Sequence, residues 1–198
     1  MRPERDPSLS SWYVDETYYG TLVKDFSDFS NWQRDELAVA DPAHRDRCRA
    51  LLEREARLLD QGQLDEWLAL YAPECLYWVP GTPGGGDPRR EVAIVFDDRR
   101  QLESRIFRLR TGYAWSQVPQ SRTVHVVSNV EVFRTAEASV WMIRSTFLVS
   151  EFRAQESRIL SGWCAHRVSE HAGGWEIRVK QVNLIDFDQS LRNLSILL

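Results

Sequence analysis

At 198 residues the chain has the length of one ordinary domain and can bury a core without disulfide or metal staples. Its 43% hydrophobic and 27% charged residues are typical of a globular protein, and 25 basic against 29 acidic residues leave no basic footprint for nucleic acid. Three cysteines, odd in number and far apart, exclude a disulfide framework, and no apolar run approaches the length of a membrane span. The opening MRPERDPSLSSW carries charge without an apolar stretch behind it, unlike a secretory signal. The expected setting is therefore a reducing cytoplasm.

Residues 1–40 read as an N-terminal arm ahead of a single domain over 41–198. The stretch SWYVDETYYGTLVKDFSDFSNWQRDEL mixes aromatics with acids and sustains no helical period. It is too apolar to float free, so it is expected to lie across its own domain or a neighbouring subunit. Asp41-Pro42 then supplies an N-cap followed by a proline at the first helical position. Cys48, Leu51, Leu52, Leu58 and Leu59 recur at helical spacing until Gly62 ends the helix. QLDEWLALY predicts a second, short helix, and CLYWVP a strand stopped by Pro80.

GTPGGGDPRR (81–90) is a loop by composition, and no Gly-Lys-Ser/Thr follows to make it a phosphate cradle. EVAIVF predicts a strand. Asp97 or Asp98 caps a helix over DRRQLESRIFRLRT that Gly112 closes, with Leu102, Ile106 and Leu109 facing inward. From Ser121 onward the pattern is β. Val124, Val126, Ser128, Val130 and Val132 are expected on one face of a strand, opposite Thr123, His125, Val127 and Asn129. Trp141, Ile143, Ser145, Phe147 and Val149 form an apolar stripe in the next strand, and Trp175, Ile177 and Val179 share a face in the last. Helices followed by long antiparallel strands give an α+β fold.

The search for chemistry is mostly negative. His44 and Cys48 share a helix face but lack the further ligands a zinc site needs, and His166 and His171 read as exposed turn residues. A lone Cys-x-His at 164–166 has no Cys-x-x-His to pair with it, so the chain lacks the paired Rieske-cluster motifs, and no Gly-x-Ser-x-Gly elbow occurs. Cys164 reads as a small buried hydrophobe, and Glu53 and Glu55 as solvated charges. His125, among polar neighbours on a central strand, is the one candidate general base, as in a dehydratase or isomerase; its alternative is a hydrogen-bonded core or interface histidine. Eight Trp, six Tyr and eight Phe serve equally well as core or partner surface.

RALLEREARLLDQGQLDEWLALYAPECLYWVP, RIFRLRTGYAWSQVPQSRTVHVVSNVEV and GGWEIRVKQVNLIDFDQSLRNLSILL, in that order, resemble the small (β) subunits of aromatic-ring-hydroxylating dioxygenases over residues 45–198. The long arm and the Gly-rich 81–86 loop depart from that pattern. The resemblance implies the nuclear transport factor 2-like fold, a cone-like, strongly curved, mostly antiparallel sheet with helices on one face. It implies a structural role beside an α subunit that carries a Rieske cluster and mononuclear iron, commonly three of each subunit, supplied with electrons by a reductase. It implies no cofactor or metal in this chain. Trp115, Arg122, His125, Ser128 and Asn129 match the family motif and are expected to fix the sheet and its contacts.

Overall fold

The computed structural model describes residues 16–87, 90–111, 114–172, 174–189, 191 and 194–198. Helix α1 (Glu16–Ser27) forms inside the segment whose sequence lacks a helical period, and α2 (Pro42–Asp60) follows. Asp41 caps α2 as its sequence implies, accepting from the N–H groups of Ala43 and His44. Gly62, at φ +66°, turns the chain away in a left-handed conformation that costs glycine little. After α3 (Leu64–Leu68) come β1 (Tyr71–Pro80), β2 (Ala93–Asp98) and α4 (Arg99–Thr111). Asp98 accepts from the Gln101 N–H at 2.9 Å and so caps α4, whereas the expected stop at Gly112 lies outside the described residues. The four long strands are β3 (Arg122–Arg134), β4 (Val140–Arg153), β5 (Glu156–His171) and β6 (Gly174–Leu184).

All six strands join one sheet in the order β2-β1-β6-β5-β4-β3. Every neighbouring pair is antiparallel except β1 with β6, which is parallel. The class is α+β as expected. The strongly curved cone is corrected: β2 and β3 remain two separate edges, and the sheet is open and mixed rather than tightly curled.

The expectation of helices on one face is also corrected. α2, α3 and α4 bury Leu52, Trp67, Leu102 and Ile106 against one face, here called inner, with Tyr77, Ile143, Val149 and Ile177. On the outer face, Leu22 of α1 packs on Leu76, Trp78 and Val179, and Phe26 meets Trp78 edge-on at 5.2 Å. β1 is apolar on both sides, which is why each face attracts a helix. Arg167, 1% exposed, bonds Asp28 at 2.8 Å and Glu137 at 2.9 Å and lies 3.2 Å from Asp25, tying α1 to the sheet.

Two irregularities decide which side chains enter the inner face. In β3 the register shifts between Ser128 and Glu131, with Asn129 at φ +51°. Val124 and Val126 therefore point outward while Val130 and Val132 pack inward, so the single face expected over 124–132 is broken at this bulge. In β6, Ile177 pairs with Val168 but Val179 pairs with Arg167, leaving Arg178 as the extra residue. Val179 is thereby moved to the outer cluster, away from Ile177, and Lys180 turns inward.

Candidate functional site

The inner face under α2 carries a buried polar cluster. Glu55, 3% exposed, accepts hydrogen bonds from Lys180 Nζ at 2.8 Å, Tyr71 Oη at 2.5 Å, Trp67 Nε1 at 3.2 Å and His166 Nε2 at 3.2 Å. Burial alone pushes the Glu55 carboxyl upward, but Lys180 and then His166 more than reverse this and hold it far below the usual range. Burial depresses Lys180, and Glu55 overrides it, leaving the ammonium raised. His166 moves down because burial outweighs its bond to Glu55. The cluster is thus an ionised pair with a neutral histidine whose Nε2–H faces the carboxylate.

A second polar pair sits at the end of α2. Asp60 accepts from the His125 backbone N–H at 2.9 Å and the Thr123 hydroxyl at 2.9 Å, and its Oδ1 lies 2.6 Å from His125 Nδ1. With Nδ1 engaged, His125 Nε2 is directed inward and has no hydrogen-bond partner among the described residues. An aspartate behind an imidazole is the arrangement that orients a general base. The space before it is small. Between Leu52, Ala56 and Leu59 on one side and Phe147, Cys164 and Leu198 on the other, the cavity encloses about 20 Å³. That is room for one water. Leu198 helps close it, held by Tyr77 Oη, which accepts from its N–H at 2.9 Å and donates to its C=O at 3.2 Å.

The other residues singled out by motif are spread over the domain. Trp115, in a short 3-10 turn (Trp115–Gln117), is 84% exposed. Arg122 opens β3 with its guanidinium 4.7 Å from the centre of the Phe152 ring. Ser128 and Asn129 form the β3 bulge, where the Asn129 amide donates to Thr146 Oγ1 at 3.1 Å. Only His125 reaches the inner cavity.

Two readings of single residues are corrected. His166 is buried in mid-strand rather than exposed beside a turn, because the turn starts five residues later. Glu55 is not solvated, because it lies on the apolar face of α2, four residues from Leu51 and three from Leu52. His171 does remain at the turn, 3.1 Å from Glu176. No group of three or more His, Cys, Asp or Glu side chains among the described residues is arranged to hold a metal ion. Burial pushes the thiols of Cys48, Cys75 and Cys164 up to about 12, and none of them stands in a cluster of donors. The donor set of this chain therefore does not fit a Rieske centre.

Comparison with known proteins places these features. The family model "Ring hydroxylating beta subunit" matches residues 54–188. The chain belongs to the ring-hydroxylating beta subunit family. It is 40% identical over 96 residues to the 2-halobenzoate 1,2-dioxygenase small subunit of Burkholderia cepacia, covering 46% of this chain and 58% of that protein. The alignment thus spans less than two thirds of that relative's length. The crystal structure of the benzoate 1,2-dioxygenase beta subunit from Burkholderia mallei superposes with a TM-score of 0.64 at 26% identity, covering 80% of this chain and 99% of that one. A nuclear transport factor 2-like protein with a cystatin-like fold from Novosphingobium aromaticivorans shares the fold, with a TM-score of 0.52 at 15% identity over 87% of this chain and 91% of the other.

The family segment includes both ends of the Glu55–Lys180 pair and both members of the Asp60–His125 pair. Of these four residues, sequence reasoning singled out His125 as a candidate. Glu55 could have been found from its place within the apolar spacing of α2. Lys180 could not, because simple alternation from Trp175 and Ile177 puts it on the opposite face.

Proposed function

We propose that this beta subunit is the non-catalytic, structural partner in a multicomponent aromatic-ring-hydroxylating oxygenase. It assembles with a larger α subunit, three of each, in the cytoplasm. The α subunit holds the Rieske cluster and the mononuclear iron, and the iron there supplies the oxygen chemistry with electrons delivered by a reductase and ferredoxin. The carrying observation is that the inner cavity beside His125 encloses about 20 Å³, too little for an aromatic ring. Family membership and relatives named as dioxygenase subunits support the same reading. Among the described residues, no helix is long and apolar enough to cross a membrane.

The outer face of β3–β5 suits the assembly role. Val124, Val126, Leu148, Phe152 and Ile159 are exposed there, and the register sets Val126 opposite Leu148 and Arg122 opposite Phe152. Such contiguous apolar surface marks an interaction site. Arg122 and Trp115 supply the arginine and tryptophan in which interface hot spots are rich. In this reading Ser128 and Asn129 hold the bulge that turns Val124 and Val126 outward.

The tagged chain, recovered from cells that express its α subunit, is expected to bring down a larger iron-bearing protein in equal molar amount. Recovery of the chain alone would overturn the proposal. One observation favours a second reading, an independent dehydratase or isomerase: Asp60 stands 2.6 Å behind His125, as a general base requires. It needs the cavity to open by an order of magnitude, and turnover of a small substrate by the isolated chain, lost in His125→Gln, would establish it.

A further inference from the structure

Residues 194–198 belong to no helix or strand, yet Ile196, Leu197 and Leu198 are each less than a tenth exposed and join the inner core. Among the described residues, the hydrogen bonds of this segment all end on side chains. Ser195 Oγ accepts from Gln117 Nε2 at 2.5 Å, and Leu198 meets Tyr77 Oη through both its N–H and its C=O. No backbone ladder breaks if the segment leaves. The burial that holds three aliphatic side chains is of the same order as the conformational entropy that fixing three residues costs. An open form is therefore thinly populated rather than forbidden.

Leu198 is also a wall of the cavity beside His125, which encloses about 20 Å³ while Leu198 is in place. Its withdrawal adds the volume of a leucine side chain to that space. The apolar walls that remain are Leu52, Ala56, Leu59, Phe147 and Cys164. An apolar cavity enlarged in this way stays dry and takes a benzene-sized ring. The polar groups that border it call for no charged ligand, because Lys180 and Glu55 neutralise each other and Asp60 already holds His125.

We propose that this cavity is a binding site for one neutral aromatic ring, and that Leu198 occupies it until the ligand takes its place. Tyr77 is the latch. It is not among the cavity's walls, and it holds Leu198 by both backbone groups. The apparent association constant is then the intrinsic one multiplied by the fraction of chains with Leu198 withdrawn. Binding here involves no turnover and is independent of assembly with the α subunit.

The test titrates toluene and benzoate into the full-length chain and follows hydrogen exchange at the Leu198 amide, which bonds Tyr77 Oη in the closed form. Toluene is expected to bind saturably and to accelerate exchange at Leu198 by at least about tenfold, with the amides of β4 and β5 unchanged. Benzoate should bind at least about tenfold more weakly, since its carboxylate finds no counter-charge inside. Tyr77→Phe leaves every wall in place and frees Leu198, so it should tighten toluene about tenfold, the worth of the hydrogen bonds lost. Leu198→Ala removes the competing side chain, should tighten toluene at least as much, and decides the matter if Tyr77→Phe fails to fold. No saturable binding of toluene, binding that leaves the Leu198 amide unchanged, equal affinity for benzoate, or an unchanged affinity in either folded variant would each overturn the proposal.

Discussion

Glu55 and Lys180, 125 residues apart in the chain, meet at 2.8 Å in the interior with each side chain only 4% exposed. Neither charge has water to fall back on. A buried pair of this kind adds little net stability by itself, yet removing one partner strands the other. Glu55→Gln is therefore expected to destabilise the chain by about 3–5 kcal/mol, read as a lower denaturant midpoint. Glu55→Gln combined with Lys180→Met should recover a large part of that loss. A double variant no more stable than the single one would show that Lys180 is not the group stranded.

Glu55 and two buried histidines, His166 beside it and His44 on α2, set the acid limit of stability. The folded His166 and His44 titrate below the ordinary value of 6.5, in both cases chiefly because burial disfavours the charged ring. The unfolded chain then binds more protons just below that value, so stability falls as pH drops through about 6.5. Glu55, held low in the fold, adds a further loss below the ordinary value of 4.5. Lys180, raised in the fold, contributes fully below the ordinary value of 10.5 and is lost only above it. Denaturation midpoints measured across pH should decline on the acid side and again above about 9, where the unfolded thiols of Cys48, Cys75 and Cys164 ionise while burial keeps the folded ones protonated. In His166→Gln the decline between 6.5 and 5 should be shallower.

Asp60 joins α2 to β3 through three groups, the Thr123 hydroxyl and two nitrogens of His125. Asp60→Ala leaves them without an acceptor and is expected to cost about 2 kcal/mol. If the role of His125 is structural, His125→Gln should lower the yield of assembled oxygenase without changing turnover per assembled, iron-loaded complex. Normal assembly with turnover reduced a hundredfold would instead make His125 part of the chemistry.

Arg167 holds α1 against the outer face through Asp25, Asp28 and Glu137. Arg167→Leu removes the shared cation and leaves three carboxylates facing one another. Amide hydrogen exchange in residues 16–27 should then accelerate by about two orders of magnitude, equivalent to ~3 kcal/mol lost locally. Exchange in β4 and β5 should change far less. Equal acceleration throughout would mean that α1 is not held by this cluster alone.

Much of this architecture is legible in the sequence, because the elements follow local rules. Asp41-Pro42 and Gly62 bound α2, and the alternation from Trp141 to Val149 gives the inner face of β4 correctly. The errors over β3 and β6 share one physical origin. A β-bulge adds a residue without any compositional mark, and each bulge reverses which residues enter the core. Asn129 does this in β3 and Arg178 in β6, so Val124 and Val126 turn outward and Lys180 turns in. The Glu55 cluster was hidden for that reason, since one of its two charges is seen to be internal only after the bulge is known. α1 escaped notice because its apolar contacts, Leu22 and Phe26 on Trp78, are few and set among acids.

The bulge at Asn129 gives the last prediction. Val126 and Leu148 lie directly opposite each other on the outer face, each about half exposed, so their side chains contribute little to the core. Val126→Glu and Leu148→Glu are therefore expected to leave the unfolding transition of the isolated chain within about 0.5 kcal/mol of the parent. In the assembled oxygenase the same changes would bury a charge against a partner without a counter-ion, which is strongly unfavourable. The double variant should run as free chain in size-exclusion chromatography when coexpressed with its α subunit, while the parent elutes with it. Assembly undiminished by both changes would move the contact elsewhere, because no interface covering this face tolerates two unpaired carboxylates at its centre.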